Sequence, residues 1–452
     1  MDFLTTLTQF THVGYPIIMF YLIGSIGICL VFFRPYWAFL FALFCLAARN
    51  FHAAVFTRPP FVGHYLNLND LLLWIALFAM MFDMFRTRKM LFMPKILFAI
   101  FIIVFIGNVQ SLFTFGLEEY VLRRIWSTAI FPILFLVSAN MVRNEERARL
   151  FYWAFFGGAF AAAAQHMVFI LSVSYQQMPG ISQIRTISYM ASGGLFLIIS
   201  AIFEKQDKSL KGFKLISYYV GIALIALSYI LALTRGIYII GIISVIVFPF
   251  LLKGKYVISR KVLKNTAVSL FTLFLVFLGA ILLLDFDIIA IVTDRLGSII
   301  DIDAFVSGYE TRLIGQQTEI EIWLEGSLIF GIGNTLPPEY LYAYADGSIK
   351  ALNHVAYATY LAHYGLIGLF VYVFLLPFST IFIARKYYFK NNMDFGGRIA
   401  LVAIACALFD FLALAWSSHH LGATSHISGL IYGSIWGLYR SLKGGRTSNE
   451  IF

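Results

Sequence analysis

His354 stands where the one long polar segment of the chain, residues 288–353, meets the apolar segment HVAYATYLAHYGLIGLFVYV. A histidine can act as a general base when its pKa lies near working pH and it reaches the substrate proton. A histidine at a helix end can also cap the helix or sit at the membrane interface without chemistry. Only His354 is predicted to adjoin both the polar segment and a glycine-spaced helix, so we take it as the candidate base. The other histidines near this end of the molecule are His363, His419, His420 and His426.

Two arginines are candidates for binding an anion. Arg235 lies in the short connection Leu-Thr-Arg-Gly-Ile between two apolar segments, and Arg312 lies in the polar segment. The planar fork of arginine suits phosphate oxygens better than lysine does. Two other interpretations stay open, because a lone arginine often snorkels to phospholipid headgroups. Arg312 in particular has acidic neighbours with which it can form salt bridges, since the segment holds nine acidic and three basic residues.

The sequence gives little sign of a metal site or of disulfides. Asp285-Phe-Asp287 and Asp301-Ile-Asp303 look like the Asp-x-Asp pattern of some glycosyltransferases, but such short patterns arise often by chance. We therefore expect no metal. Cys29, Cys45 and Cys406 all lie in apolar segments, where cysteine is usually a small buried residue.

Composition predicts an all-α polytopic membrane protein. The 452 residues are 60% hydrophobic and only 12% charged. Apolar runs long enough to span a bilayer, roughly 20 residues each, recur along the chain. A membrane β-barrel is excluded because its strands alternate apolar and polar residues, unlike FAIFIIVFIG. The start, MDFLTTLTQFTH, lacks the basic region of a cleavable signal peptide, so we expect none.

The pattern of apolar runs predicts about 12–13 membrane-spanning helices. Their approximate bounds are 14–33, 36–56, 66–85, 95–115, 124–142, 150–174, 182–203, 214–233, 236–252, 264–288, 355–384, 398–416 and 422–440. If they alternate in direction, the loops on one side hold 24 of the 33 Lys and Arg residues, which predicts that this side is cytoplasmic. The net charge of +10 is thus explained without nucleic acid. Whether the N-terminus lies inside or outside stays open.

The predicted organisation has four parts. They are an N-terminal membrane bundle (1–287), a loop facing the compartment opposite the cytoplasm (288–353), C-terminal membrane helices (354–440) and a cytoplasmic tail (441–452). Within the loop, apolar residues at helical spacing among Gln and Glu predict an amphipathic helix at the membrane interface. These residues are Ile314, Ile320, Ile322, Trp323, Leu324 and Leu328.

Several ionisable or polar residues lie inside predicted spans. Such groups are costly in a membrane and usually face a cavity or a partner. They indicate either a polar interior cleft or buried structural pairs, for example Arg49 with Asp410. The residues are Arg49, His52, Gln165, His166 and Asp410.

Three motifs together resemble the O-antigen ligase and O-antigen polymerase superfamily of bacterial membrane glycosyltransferases. LTRG at 233–236 is similar to the family's Ser/Thr-Arg-Gly step between two helices. The segment from Arg312 to Gly331-Ile332-Gly333-Asn334 is similar to its loop helix followed by Gly-x-Gly. His354 with Gly365 and Gly368 matches its His-x10-Gly-x2-Gly. The similarity covers about 150–375, and Val355 departs from the Asn, Ser or Gln that many members carry there.

The resemblance implies a glycosyltransferase fold of the broad C type and a reaction without a cofactor. Such enzymes move a glycan from an undecaprenyl diphosphate carrier to an acceptor hydroxyl on the periplasmic face of the bacterial inner membrane. His354 would be the base, and Arg235, Arg312 and, as a third, Arg185 would bind the diphosphate. The expected outcome is inversion at the anomeric carbon. Membrane lipids and a chain-length regulator protein are further partners that the resemblance implies.

Three functions stay open after this comparison of motifs. A polymerase, with a lipid-linked glycan as acceptor, is favoured by the breadth of the family and by the richness of the chain in Phe and Ile. A ligase would use lipid A-core as the acceptor instead. A transporter of lipid-linked glycans belongs to a different class, and it would predict inverted repeats and broken helices at the midplane.

Overall fold

The structure is a computed structural model, and helices dominate it. It describes residues 15–48, 68–172, 191–203, 212–230, 235–252, 316–334, 341–343, 349–351, 356–390, 395–416 and 423–447. The helices of the first half are α1 (Tyr15–Phe33), α2 (Pro35–Ala47), α3 (Leu68–Thr87), α4 (Lys95–Phe115), α5 (Glu119–Met141), α6 (Glu145–Ser172), α7 (Ala191–Phe203), α8 (Phe213–Ile230) and α9 (Arg235–Leu251). The second half holds α10 (316–325), α11 (Ala356–Leu369), a π-helix (Phe370–Leu375), α12 (Leu376–Lys390), α13 (Phe395–Trp416) and α14 (Ala423–Thr447).

The prediction of an all-α membrane protein is confirmed at the level of helix content and apolar length. Five helical stretches of the described residues are long and apolar enough to cross a membrane. The full number of spans stays a prediction, since the apolar segment 264–288 lies outside the described residues. The five stretches are Leu68–Thr87, Lys95–Phe115, Arg124–Met141, Tyr357–Lys390 and Phe395–Ala413.

One small element was not predicted. Within the polar segment, strands β1 (Leu341–Ala343) and β2 (Ile349–Ala351) form an antiparallel hairpin in which Tyr342 pairs with Lys350. Strands of three residues are too short to be predicted from an alternating hydrophobic pattern.

Glycines at every fourth position of α14 allow it to lie directly against α5. A side chain added at Gly429 or Gly437 would come within 2.8 or 2.6 Å of a backbone carbonyl oxygen of α5, on Phe131 or Ala139. Small residues at this spacing let two membrane helices approach until their backbones touch. Across the same contact, the Ser138 hydroxyl donates a hydrogen bond to the Leu430 carbonyl at 2.6 Å.

Helix α13 lies at the centre of the bundle. All the residues from 399 to 410 are buried, including the small residues Ala403, Ala405, Cys406 and Ala407. A helix that is apolar all round is expected to be enclosed by other helices. It contacts α7, α9, α12 and α14, among others, so the halves of the chain pack around it.

One end of the bundle is rich in basic residues, and we call the residues Arg86, Arg143, Arg147 and Arg440 the basic end. Arg147 forms a two-pronged salt bridge with Asp83, at 2.7 and 3.0 Å, which ties α6 to α3. The Tyr36 hydroxyl donates to the Arg147 carbonyl at 2.5 Å, which adds α2 to the contact. Because α4 begins near this end at Lys95 and rises about 1.5 Å per residue, its residues from Gly107 onward lie toward the opposite end.

Candidate functional site

The polar segment folds back onto helix α11, which is the helix that follows His354. Helix α10 carries Glu319, whose side chain is fully buried, and both its carboxylate oxygens face the Thr359 hydroxyl at 2.9 and 3.1 Å. At the start of α10, the Gln316 amide donates to the Tyr357 hydroxyl. Ile322 packs against Ala362 together with Ile332. One face of α10 is thus buried against α11.

The exposed positions of α10 are mostly polar, at Gln317, Glu321 and Glu325, and Leu324 is the apolar residue among them. Beyond the helix, Leu328, Ile329 and Phe330 each leave more than a third of their surface open. A helix is therefore present over 316–325 within the predicted segment, and its place at the membrane interface stays a prediction. Its buried face, however, carries Glu319 as well as Ile322, because α11 supplies a hydroxyl that bonds the carboxyl group.

Helix α11 is interrupted at Gly365, which has φ 62° and ψ −161°. Backbone groups left without a helical partner must be bonded by other protein inside a membrane. Segment 327–334 does this from both sides of the interruption. The Ile332 and Gly333 amides donate to the carbonyls of Ala362 and His363 at 2.8 and 3.1 Å. The Leu366 and Ile367 amides donate to the carbonyls of Leu328 and Ile329 at 3.0 and 3.3 Å.

The Gly-Ile-Gly-Asn sequence has a structural explanation in this contact. Gly331 and Gly333 both have positive φ, 72° and 103°. A side chain at Gly331 would come within 2.5 Å of the Ala362 carbonyl oxygen, and one at Gly333 within 2.7 Å of the Ser111 hydroxyl. Only glycine combines this conformation with so close an approach of backbones.

Four polar residues meet where this segment enters the bundle, and we call Arg124, Glu319, Asn334 and His363 the polar cluster. The backbone N–H of Asn334 donates a hydrogen bond to the Gly107 carbonyl at 3.2 Å. The side-chain amide of Asn334 donates a second hydrogen bond to the side-chain oxygen of Asn108. The Arg124 Nε donates to the Asn334 carbonyl at 3.1 Å. The cluster therefore joins α4, α5, α10 and α11.

The hydrogen bonds of His363 fix which of its ring nitrogens carries the proton. Its Nδ1 lies 2.7 Å from the Gly333 carbonyl oxygen, which can only accept, so Nδ1 is the donor. In the neutral ring, Nε2 is then an acceptor, and it faces Arg124 Nη2 at 3.4 Å. His363 is thus held by the polar segment, and the expectation that His354 alone adjoins that segment is wrong.

Burial raises the pKa of the Glu319 carboxyl from its ordinary value to about 8, although the Thr359 hydrogen bond and the charge of Arg124 act in the opposite direction. At pH 7 the carboxyl group is therefore mostly protonated. In that form it donates to or accepts from Thr359 without leaving a buried negative charge.

The structure describes only one of the residues that the sequence singled out for chemistry. Arg235 is the first residue of α9, as expected for the step between two helices, and the structure describes its backbone. Three others lie outside the described residues, so their roles stay predictions: His354, Arg312 and Arg185. The same holds for Asp285, Asp287, Asp301 and Asp303.

The polar residues predicted inside spans divide in the same way, with Arg49 and His52 outside the described residues. His166 Nδ1 lies 2.7 Å from the Ser228 hydroxyl, and Asp410 accepts a hydrogen bond from Tyr432 at 2.6 Å. Each is bonded to a hydroxyl group of another helix. These bonds favour structural pairs over an open cleft at both positions.

Sequence reasoning missed Arg124 and did not choose His363. Arg124 lies at the start of a predicted span, within the sequence YVLRRIWS. An ionisable residue within a predicted span is a candidate functional residue. The position of Arg124 in the sequence could therefore have identified it. Comparison with known protein families finds no match, and comparison with curated proteins finds none either.

Proposed function

We propose that this protein is a membrane glycosyltransferase that moves a glycan from a polyprenyl diphosphate to an acceptor hydroxyl. The observation that carries the proposal is the packing of the polar segment on α11. A reaction between a lipid-linked donor and a polar acceptor needs polar groups fixed at the edge of the membrane. Within the proposal, segment 316–334 and α11 form this place, and the candidate base precedes α11 in the sequence.

Chain connectivity supports the pairing of Arg312 with His354. Gln316 and Tyr357 are hydrogen-bonded to each other. Arg312 precedes Gln316 by four residues, which span at most about 14 Å. His354 precedes Tyr357 by three residues, which span at most about 11 Å. Both candidates are therefore tethered to the same contact by short lengths of chain.

The chemistry assigns a role to each residue. The leaving group is a lipid diphosphate whose negative charge increases as the glycosidic bond breaks, and fixed cations stabilise that charge. Arg235 and Arg312 are the proposed cations, with Arg185 as a third. His354 takes the proton of the acceptor hydroxyl as its oxygen attacks the anomeric carbon from the opposite face, so the configuration is inverted.

Within this proposal, a polymerase acting on lipid-linked repeat units comes first and a ligase acting on lipid A-core second. The site would face the periplasm of a bacterial inner membrane. Both enzymes use the same donor, so the same residues serve either acceptor.

The test is the replacement of His354 by Ala. Loss of a general base lowers the rate by about 10²–10⁴-fold, so glycan transfer in cells should fall to a trace while protein level and lipid-linked donor persist. Product length would be followed on a gel and protein level by immunoblot. His420→Ala is the matched control, because it removes another histidine predicted at the same end. Near-normal product from a well-expressed His354→Ala protein would contradict the proposal.

A transporter of lipid-linked glycans is the second candidate, and the interruption of α11 at Gly365 favours it. In transporters, interrupted helices leave backbone groups open to bind substrate or ions. Here the four backbone groups around Gly365 are bonded to segment 327–334 instead. Because these backbone groups are already hydrogen-bonded, they favour the enzyme over the transporter. Transfer of glycan by purified protein in detergent, where there are no two compartments, would exclude transport as the explanation.

A further inference from the structure

Of the polar cluster, Arg124 is the most exposed residue. His363 is 2% exposed, and Asn334 and Glu319 are fully buried, whereas Arg124 is only partly buried. Arg124 is therefore the member of the cluster that keeps accessible surface.

The surroundings of Arg124 orient its charge without neutralising it. Its Nε and Nη2 groups face the Asn334 carbonyl and the His363 ring, and both partners are neutral. Among the described residues, the carboxyl group whose charge would act on Arg124 is that of Glu319, and it is mostly protonated at pH 7. A partly buried cation is costly where its desolvation is not offset by a full opposite charge. An anion supplied from outside would offset it.

We propose that Arg124 binds the phosphate group of an anionic lipid, namely the diphosphate of the lipid-linked donor. This assignment rests on the proposed function, to which it adds a cation from α5. The guanidinium group has five N–H donors, and phosphate oxygens accept them in pairs. The bonds to Asn334 and His363 hold the fork in one orientation, so that less side-chain freedom is lost when the lipid binds.

Glu319 makes the assignment dependent on pH. Among the described residues, the ionisable groups that face Arg124 are Glu319 on α10 and His363, Tyr360 and Tyr364 on α11. Histidine ordinarily loses its proton near pH 6.5 and tyrosine near pH 10, so neither type changes charge at pH 8. The Glu319 carboxyl, with its pKa of about 8, does. Above pH 8 its negative charge competes with the lipid for Arg124, and binding weakens.

The experiment measures lipid binding rather than turnover. Full-length protein in detergent is titrated with three probes: undecaprenyl diphosphate, phosphatidylglycerol and undecaprenol, which has the same tail without phosphate. Loss of a hydrogen bond to a charged group lowers affinity by about 10- to 100-fold. Arg124→Gln should weaken undecaprenyl diphosphate by that factor and leave undecaprenol unchanged. Arg124→Lys should recover only part of the loss, since lysine keeps the charge without the fork.

Two controls separate binding from folding. Arg149→Gln removes the same charge from an exposed arginine on α6 and should leave all three affinities unchanged. Thermal unfolding shows whether Arg124→Gln is folded. If it is not, the affinities at pH 7 and pH 9 are compared in the unaltered protein and in Glu319→Gln. The unaltered protein should bind undecaprenyl diphosphate more weakly at pH 9, and Glu319→Gln should show no such change.

The outcomes are distinct from those of the His354 test. Unchanged affinity in folded Arg124→Gln, or equal pH dependence with and without Glu319, overturns the assignment even if His354→Ala abolishes transfer. Equal weakening of undecaprenyl diphosphate and phosphatidylglycerol makes the ligand an ordinary phospholipid and contradicts the donor assignment. Weakened diphosphate binding in a protein that transfers no glycan supports the anion site and removes the proposed function.

Discussion

At the scale of single residues, the candidate chemistry depends on arginine rather than on positive charge alone. Arg235 begins α9 and Arg312 precedes α10 by four residues, so the two belong to different parts of the chain. If both act as forks on one diphosphate, a lysine at either position keeps the charge but loses the paired hydrogen bonds. If they snorkel or form exposed ion pairs worth only about 0–1 kcal/mol, lysine should serve almost as well.

We therefore expect Arg235→Lys and Arg312→Lys each to lose most transfer activity with purified protein and lipid-linked donor. The same assay in EDTA should give full activity in the unaltered protein, because guanidinium groups take the place of a metal's charge. Arg149→Lys is the matched control. Activity that disappears in EDTA and returns with Mg²⁺ or Mn²⁺ would move the chemistry to Asp301 and Asp303.

At the scale of elements, the interruption of α11 is the feature that joins the polar segment to the bundle. Gly365 occupies a region of φ and ψ that is essentially restricted to glycine, and its space is also filled by the Ile329 carbonyl and the Phe330 amide nitrogen. Two effects therefore restrict position 365 to glycine: the backbone conformation and the close contact with segment 327–334.

A matched pair of substitutions separates these two effects. Gly116, the C-cap of α4, has φ 74° and ψ −162°, nearly the same conformation as Gly365, yet nothing lies within 4 Å of an added side chain. Strain alone costs about 1–3 kcal/mol, so Gly116→Ala should lower stability by about that amount. Gly365→Ala should cost more, because it also pushes 327–334 away.

The measurement is thermal unfolding of both variants in detergent, with protease sensitivity of segment 316–334 as a local readout. Increased cleavage is expected in Gly365→Ala only. Equal stability and equal cleavage in the two variants would mean that contact with 327–334 contributes nothing to holding the segment.

At the scale of the whole molecule, the distribution of charge predicts the orientation in the membrane. Loops rich in Lys and Arg favour the cytoplasm, which predicts that the basic end lies inside and the polar cluster near the opposite face. A single cysteine at Ser307 should then react with a membrane-impermeant reagent in intact cells. One at Ser259 should react only after the cells are opened. The native cysteines Cys29, Cys45 and Cys406 are replaced by Ser in both proteins, and the reverse labelling pattern would overturn the proposed location of the site.

The class of the protein and the positions of most helices could be predicted from the sequence. The predicted bounds 95–115 are those of α4, and 14–33 and 236–252 differ by at most one residue at either end from α1 and α9. These helix bounds could be predicted from the apolar runs because a run of bilayer length has few alternatives to a helix. The motif Gly-Ile-Gly-Asn was also visible, but not its purpose.

The role of that motif and the contacts among the polar residues became visible only in the packed structure. Arg124 and Asn334 are 210 positions apart, and no periodicity links them. Their contact exists because Gly365 interrupts α11, which exposes backbone groups that 327–334 must bond. Hydrophobic patterns record which face of a helix is apolar, whereas the pairing of buried polar groups depends on the directions of individual hydrogen bonds. Those directions are fixed only when the helices have packed.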